Sequence, residues 1–365
     1  MCEGRNQIEF VARTIMRALS MTIVATLTCI CLATTVLAGE DLKEVTFEPV
    51  EEWANVFSGA EVKLHYTARH PDGLDGRLNW SLSVNRRTIE HGQLPLMLAA
   101  AHPAEATVAF KIPEVKEGVI LEAQLSVAAY ATGEQKPTAQ HIKTIWIFPR
   151  DPFVDRTQWL KRLKITLFDP EGKTADVFDK ARIPYTFTKN ISALDDLGEG
   201  LLVIGEGTVW KNYRSLGETM VKAAARGVPV LCLAPGEGAL VLPGTAGAEL
   251  PPPASMTLRQ EDIIRELDKR LDASAWPPKG QVTASRLTIK SDRDQVVAEA
   301  SQAVNAWPWL EVGYPARKGR LLVCGFGIIR HWEATPAPRY LLSELFLRLT
   351  AEKLSTPLPL DERTK

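Results

Sequence analysis

The hydrophobic period of this 365-residue chain changes once, near residue 150, and that change constrains the fold more than any single motif. Before it, apolar residues recur at every second position. In RLNWSLSVN, Leu78, Trp80, Leu82 and Val84 alternate with Asn79, Ser81 and Ser83, the period of a strand with one buried face. The same alternation runs through EVKLHY (Val62, Leu64, Tyr66), TVAFKIP (Val108, Phe110, Ile112) and LEAQLSVAA (Leu121, Ala123, Leu125, Val127). His70-Pro71-Asp72-Gly73, Glu90-His91-Gly92 and Thr132-Gly133-Glu134 read as the turns between them. The pattern predicts an all-β region over 44–150, closing with HIKTIWIFP and a short linker at Arg150-Asp151-Pro152.

Short strands at this spacing predict an immunoglobulin-like β-sandwich with Trp80 as its core aromatic and no cysteine pair between the sheets. Beyond residue 150, strands alternate with helices. The strands are 164–168 (KITLF), 184–188 (PYTFT), 201–205 (LLVIG), 228–234 (VPVLCLA) and 320–326 (RLLVCGF). The first, third and fourth are continuous apolar runs, as expected where helices cover both faces of a parallel sheet. Helices are predicted over 174–182, 209–226, 261–271 and 339–353, with Gly227 as a C-terminal stop. This is a doubly wound α/β pattern over 155–353. The stretches 242–255 and 275–280 are Pro/Gly-rich loops. SRLTIKS and WPWLEVGY are expected to add strands at a sheet edge, and 354–365 to be a disordered tail. Hydrophobic content of 45% is enough for two domains to bury separate cores.

The 43 Lys and Arg nearly cancel the 44 Asp and Glu, and no long run of one sign occurs. A phosphate-backbone binder needs a concentrated basic footprint, so nucleic acid is excluded as an expected partner. At the N-terminus, Arg13 and Arg17 precede the apolar run MTIVATLTCICLATTVLA, which predicts a signal peptide over 1–38 cleaved after Ala38. The alternative is an uncleaved anchor, since the run is about long enough to span a bilayer. Either way the chain is expected to be exported, periplasmic or extracellular, with the membrane touched only through this segment. Cleavage would remove Cys2, Cys29 and Cys31 and leave Cys232 and Cys324, both inside apolar runs, where cysteine acts as a small buried hydrophobe.

KITLFDPEGKT (164–174) imitates a phosphate-binding loop, an apolar strand running into Gly-Lys-Thr. The loop needs a glycine five residues before Gly172, and Leu167 stands there. Pro170 lacks an amide, and Asp169 and Glu171 put negative charge where phosphate would lie. The stretch is read as a strand-to-helix turn.

Two stretches, RGVPVLCLAPGEG and GRLLVCGFGIIRHWEATPAPRYLLSELFLRL, resemble class I glutamine amidotransferases, a flavodoxin-like family. In that family a strand enters a Gly-x-Cys-x-Gly elbow, and a later strand delivers His and Glu followed by Thr-Pro and a helix with paired leucines. Here Gly205-Glu206-Gly207 matches the glycine turn near the oxyanion site. His331 and Glu333 match the base and its orienting carboxylate, with Thr335-Pro336 and Leu341-Leu342 behind them. At the nucleophile position stands Ala234, ahead of Pro235 and Gly236, and a methyl group forms no acyl bond. Cys232 lies two residues earlier, on the same side of the strand but about 6–7 Å further back, with apolar flanks that raise a thiol's pKa.

The resemblance implies a domain without amidotransferase activity, similar to the non-catalytic modules that accompany sandwich domains in bacterial glycoside hydrolases. The function expected is a binding or scaffold role in the cell envelope, with a glycan or an envelope protein as partner. The alternatives are a hydrolase using His331 and Glu333 with Cys232 or water, and a carbohydrate binder using Trp307 and Trp309 with Trp276 and Trp332. Gly236 and Glu237 complete the expected crevice. Scattered histidines and the absence of a Cys-x-x-Cys pair predict no metal site, and nothing predicts a cofactor.

Overall fold

The structure, a computed structural model, describes residues 45–350 apart from 243–252, 273–275, 277–286, 292–295, 301–307 and 315–318. The expected leader, the tail, most of both Pro/Gly-rich loops and Trp307 lie outside the described residues. Among those described, no helix is long and apolar enough to cross a membrane.

From Thr46 to Phe148 the described residues form strands and no helix. One antiparallel sheet joins β1 (Thr46–Pro49), β3 (Glu61–Arg69) and β6 (Ala104–Lys111). The other runs β2 (Asn55–Phe57), β8 (Ala139–Phe148), β7 (Leu121–Ala131), β4 (Leu74–Val84), β5 (Arg87–Leu98). Alternate residues of both sheets fill one core: Leu64 and Tyr66 from β3, Leu78, Trp80 and Leu82 from β4, Leu125 and Val127 from β7. Glu90-His91-Gly92 is not a turn but the middle of β5, with Gly92 opposite Trp80. A Cβ at Gly92 would stand 2.6 Å from Trp80 Nε1, so this glycine is there to admit the indole. The chain reverses instead at Asn85 and Arg86, whose φ angles of 48° and 65° suit a two-residue hairpin.

After the linker comes α1 (Thr157–Arg162), whose 6 residues are too few to leave a readable period. The elements that build the crevice then follow in order: β9 (Ile165–Phe168), α2 (Lys173–Lys180), β10 (Tyr185–Thr188), α3 (Ser192–Asp195), β11 (Leu202–Ile204), α4 (Leu216–Arg226) and β12 (Val230–Leu233). Later elements are β13 (Ala239–Leu242), β14 (Ser255–Arg259), α5 (Asp262–Leu267), β15 (Leu287–Ser291), β16 (Val296–Ala300), β17 (Trp309–Tyr314), β18 (Gly319–Cys324) and α6 (Pro336–Thr350). The large sheet has the order β10-β9-β11-β12-β18-β17-β14. Its first five strands are parallel, and β17 and β14 extend it antiparallel. β13, β15 and β16 form a separate small sheet.

The continuous apolar runs are explained by two core layers. In β11, Val203 joins the layer of Phe178, Leu342 and Phe346 from α2 and α6, while Leu202 and Ile204 join Leu216 and Met220 of α4. Several predicted boundaries move. The helix expected over 209–226 splits, because Trp210 tucks into the core in a 3-10 turn (Trp210–Asn212) and Tyr213 leaves helical space at φ −130°. The helix expected over 261–271 ends at Leu267, as Asp268 is extended. The last helix starts at Pro336, where a missing amide costs nothing in the first turn. β17 is interior, and the edge is β14, whose half-exposed residues carry no alternation to read.

Candidate functional site

The strand order reverses between β9 and β11, since β9 is followed in the chain by β10 on one side and flanked by β11 on the other. In such sheets a crevice forms at the carboxyl ends of the strands where the order turns. A cavity of about 490 Å³ lies there. Its walls include Lys173 and Lys180 of α2, Glu206 and Gly207 after β11, and Ile329 and Arg330 after β18.

The strand-to-helix turn forms its first wall. Gly172, with φ 79°, donates its amide back to the Asp169 carbonyl at 3.2 Å and starts α2. Asp169 is fully buried, and one carboxylate oxygen accepts the Ala175 N–H at 2.8 Å. A carboxylate therefore occupies the first turn of the helix, where a phosphate loop would hold its anion. The other oxygen of Asp169 finds no partner and lies against Gly205, where a Cβ would meet it at 2.5 Å. Thr174 Oγ1 accepts the Glu206 N–H at 2.9 Å, which ties this wall to the next loop. Neither Asp169 nor Thr174 was foreseen as part of the crevice. The spacing from strand end to helix start is the signal that carries them.

Glu206 is 5% exposed and holds the third wall. Its carboxylate accepts Ile329 N–H at 2.6 Å, Arg330 N–H at 3.3 Å and Arg330 Nε–H at 2.9 Å. Of the three residues expected beside an oxyanion site, Glu206 and Gly207 border the cavity with a carboxylate already in place, and Gly205 packs behind them against Asp169.

The elbow has no opening. Ala234 is fully buried, donates its amide to the Cys324 carbonyl at 2.6 Å and accepts the Gly207 N–H at 2.9 Å. Gly236 donates to Thr208 O at 2.8 Å, so the loop after β12 is laid flat on the loop after β11. Cys232 is also fully buried, in the core layer of α4, and burial pushes its thiol far above the ordinary range. The imidazole of His331 meets Trp276 edge-on at 6.2 Å, and both Trp276 and Trp332 belong to the other layer. The thiol and the aromatic contact of the imidazole therefore belong to different core layers. Burial first, then Arg330, lowers the pKa of His331 against a smaller pull from Glu206.

The remaining expected residues are placed elsewhere. Glu333 accepts a hydrogen bond from Arg339 Nη2 at 2.6 Å. Glu237 pairs with Lys211 at the surface, both largely exposed. Trp276, Trp309 and Trp332 are buried at 1%, 0% and 3% exposure, so these three members of the expected aromatic platform offer no stacking face. Trp332 is instead part of a junction. Arg339 donates to the Trp332 and Arg150 carbonyls at 2.7 Å each and stands 4.7 Å from the Phe57 ring centroid. Thr335 adds a bond to Asn55 at 2.9 Å, so α6 is fastened to β2 and to the linker. Among the described residues no group of three His, Cys, Asp or Glu side chains is placed to hold a metal.

Fold and crevice together define a mixed α/β protein of several sheets, one of them parallel and flanked by helices. No family model matches the chain, and no curated protein does. Among solved structures, similarity is partial and shallow. The sporulation control protein Spo0M from Bacillus subtilis aligns at 14% identity and TM-score 0.24, covering 33% of this chain and 55% of its own. This chain thus spans about half the length of that protein. A cycloisomaltooligosaccharide glucanotransferase from Paenibacillus sp. aligns at 8% identity and TM-score 0.25, covering 52% of this chain and 27% of its own. A chain of the human seminal-plasma complex of Zinc 2-glycoprotein and prolactin-inducible protein gives 8% and 0.21, over 29% of this chain and 93% of its own. Scores this low carry no argument about function.

Proposed function

We propose that the chain is an exported, non-catalytic binding or scaffold protein of the cell envelope. In this reading an immunoglobulin-like sandwich is followed by a glutamine amidotransferase-like α/β domain that has lost its nucleophile and uses the crevice beside β11 for ligand or partner contact. Export rests on the apolar segment before Ala38, and the domain assignment on the motifs around Gly205, Ala234 and His331 together with the strand order β10-β9-β11-β12-β18.

The observation that carries the non-catalytic reading is the full burial of the Cys232 thiol in the α4 core layer, with a methyl group at the elbow. Covalent acyl transfer needs a nucleophile within hydrogen-bond reach of the imidazole. Cys232 sits in the α4 layer with its thiol protonated, and Ala234 occupies the elbow. The hydrolase alternative needs Glu333 to serve His331, whereas Glu333 serves Arg339. The test is labelling of the native chain with a small thiol reagent near neutral pH. Cys232 is expected to react only as fast as the fold opens globally. Reaction at the rate of a free thiol, or a trapped acyl adduct, would restore the enzyme reading.

A further inference from the structure

The carboxylate of Glu206 rests in a receptor made by a different loop. Two successive amides, of Ile329 and Arg330, converge on it, and the Arg330 guanidinium closes the side at 2.9 Å. Consecutive N–H groups with a guanidinium beside them make a general binding site for an organic carboxylate. Such a nest holds an external carboxylate as well as an internal one, since its donors meet the two oxygens of a planar carboxylate and not the chain that carries it. This nest also opens on a cavity of about 490 Å³, within the size range of small-molecule sites.

The surroundings allow the internal carboxylate to leave. Gly207, the next residue, has φ 83° and no atom within 4 Å of its Cβ position, so the chain is uncrowded there. Across the same cavity stand Lys173 and Lys180, with Asp176 between them on α2, a face that remains net positive. A displaced Glu206 carboxylate therefore has cations to move toward.

We propose that the crevice is a receptor for a small organic acid and that Glu206 is its resident occupant, displaced when the ligand's carboxylate enters the nest of Ile329 and Arg330. This inference takes the crevice of the proposed binding role as its starting point. A tethered carboxylate competes at an effective concentration of about millimolar or more. The wild-type chain is thus expected to bind a simple acid weakly, and removal of Glu206 to expose the nest.

The experiment compares the full chain with Glu206→Ala and Glu206→Gln in acetate, chloride and sulfate at matched ionic strength, read by melting temperature and by titration calorimetry. Both variants are expected to bind acetate about tenfold more tightly than wild type, and to lose that gain when Arg330→Met is added. Should Glu206→Ala fold poorly, acetate is expected to raise its refolding yield where chloride does not. The proposal is overturned by equal acetate affinity in variant and wild type, by sulfate acting as well as acetate, by retention of the gain after Arg330→Met, or by a refolding yield that acetate leaves unchanged. None of these outcomes alters the reactivity of Cys232, so the non-catalytic reading stands or falls separately.

Discussion

Replacing Arg339 by methionine tests how the two halves of the chain are joined. The residue is 8% exposed. Its Nε donates to Trp332 O and its Nη1 to Arg150 O, each at 2.7 Å, and Nη2 meets Glu333 at 2.6 Å. The guanidinium also stands 4.7 Å from the Phe57 centroid and 5.3 Å from that of Trp332. Methionine keeps the stem and removes the fork. Hydrogen bonds from a charged donor are worth about 1.5–3 kcal/mol each, and two carbonyls would lose their donors. The pair with Glu333 adds at most about 1 kcal/mol because that carboxylate is largely exposed. Against this, burial lowers the pKa of Arg339, a sign that its charge is held at a desolvation cost which methionine relieves. The expected net loss is about 3 kcal/mol. Urea unfolding followed by tryptophan fluorescence and far-ultraviolet dichroism measures it, and a shift in midpoint without a change in slope shows that stability alone has changed. Arg339→Lys keeps the charge but not the planar fork, and is expected to recover less than half of the loss. A loss below about 1 kcal/mol, or full recovery with lysine, would refute the argument that this fork fastens α6 to the linker and β2.

Three further outcomes are expected. Gly92→Ala brings a methyl within 2.6 Å of the Trp80 indole and should cost about 1–3 kcal/mol by thermal melting, with a changed Trp80 environment in near-ultraviolet dichroism. Glu311 holds Arg320 at 3.2 Å and Arg348 at 3.0 Å in a half-buried triad, so Glu311→Gln should cost about 3–5 kcal/mol while Glu311→Leu combined with Arg320→Leu costs less. Burial lowers the pKa of His141 and His331 below the ordinary 6.5, so stability is complete above pH 6.5 and is lost as pH falls toward their folded values. The double variant His141→Gln/His331→Gln should therefore melt with a flatter pH dependence between 6.5 and about 5. Glu344, its pKa raised by burial and Asp268, pulls the other way equally in both proteins. An unchanged slope would refute the assignment.

Much of the crevice is readable in the chain once its strands are placed. Gly205-Glu206-Gly207 after an apolar run and the residues behind the last strand lie at the carboxyl ends of β11 and β18, as their position in an alternating pattern implies. Two elements misled because a tertiary contact overrode their local composition. Glu90-His91-Gly92 has turn composition, yet its glycine answers to an indole on the neighbouring strand. Trp210 has helical neighbours, yet its ring is needed in the core beneath α4.

By itself the sequence determined what depends on periodicity and on single atoms. Strands that alternate precede strands that are apolar throughout, the Gly172 turn lacks a phosphate loop's glycine, and Ala234 has no atom that attacks. Those properties belong to short segments and survive any packing. Only the tertiary structure decided which side chains meet. It put Cys232 and the Trp276 that His331 meets in different core layers, turned Glu333 to Arg339, buried Trp309 and Trp332, and set Glu206 against amides more than a hundred residues away. The physical reason is that a strand presents neighbouring residues to opposite layers, so partners are chosen by the sheet order and by the loops that cross its end.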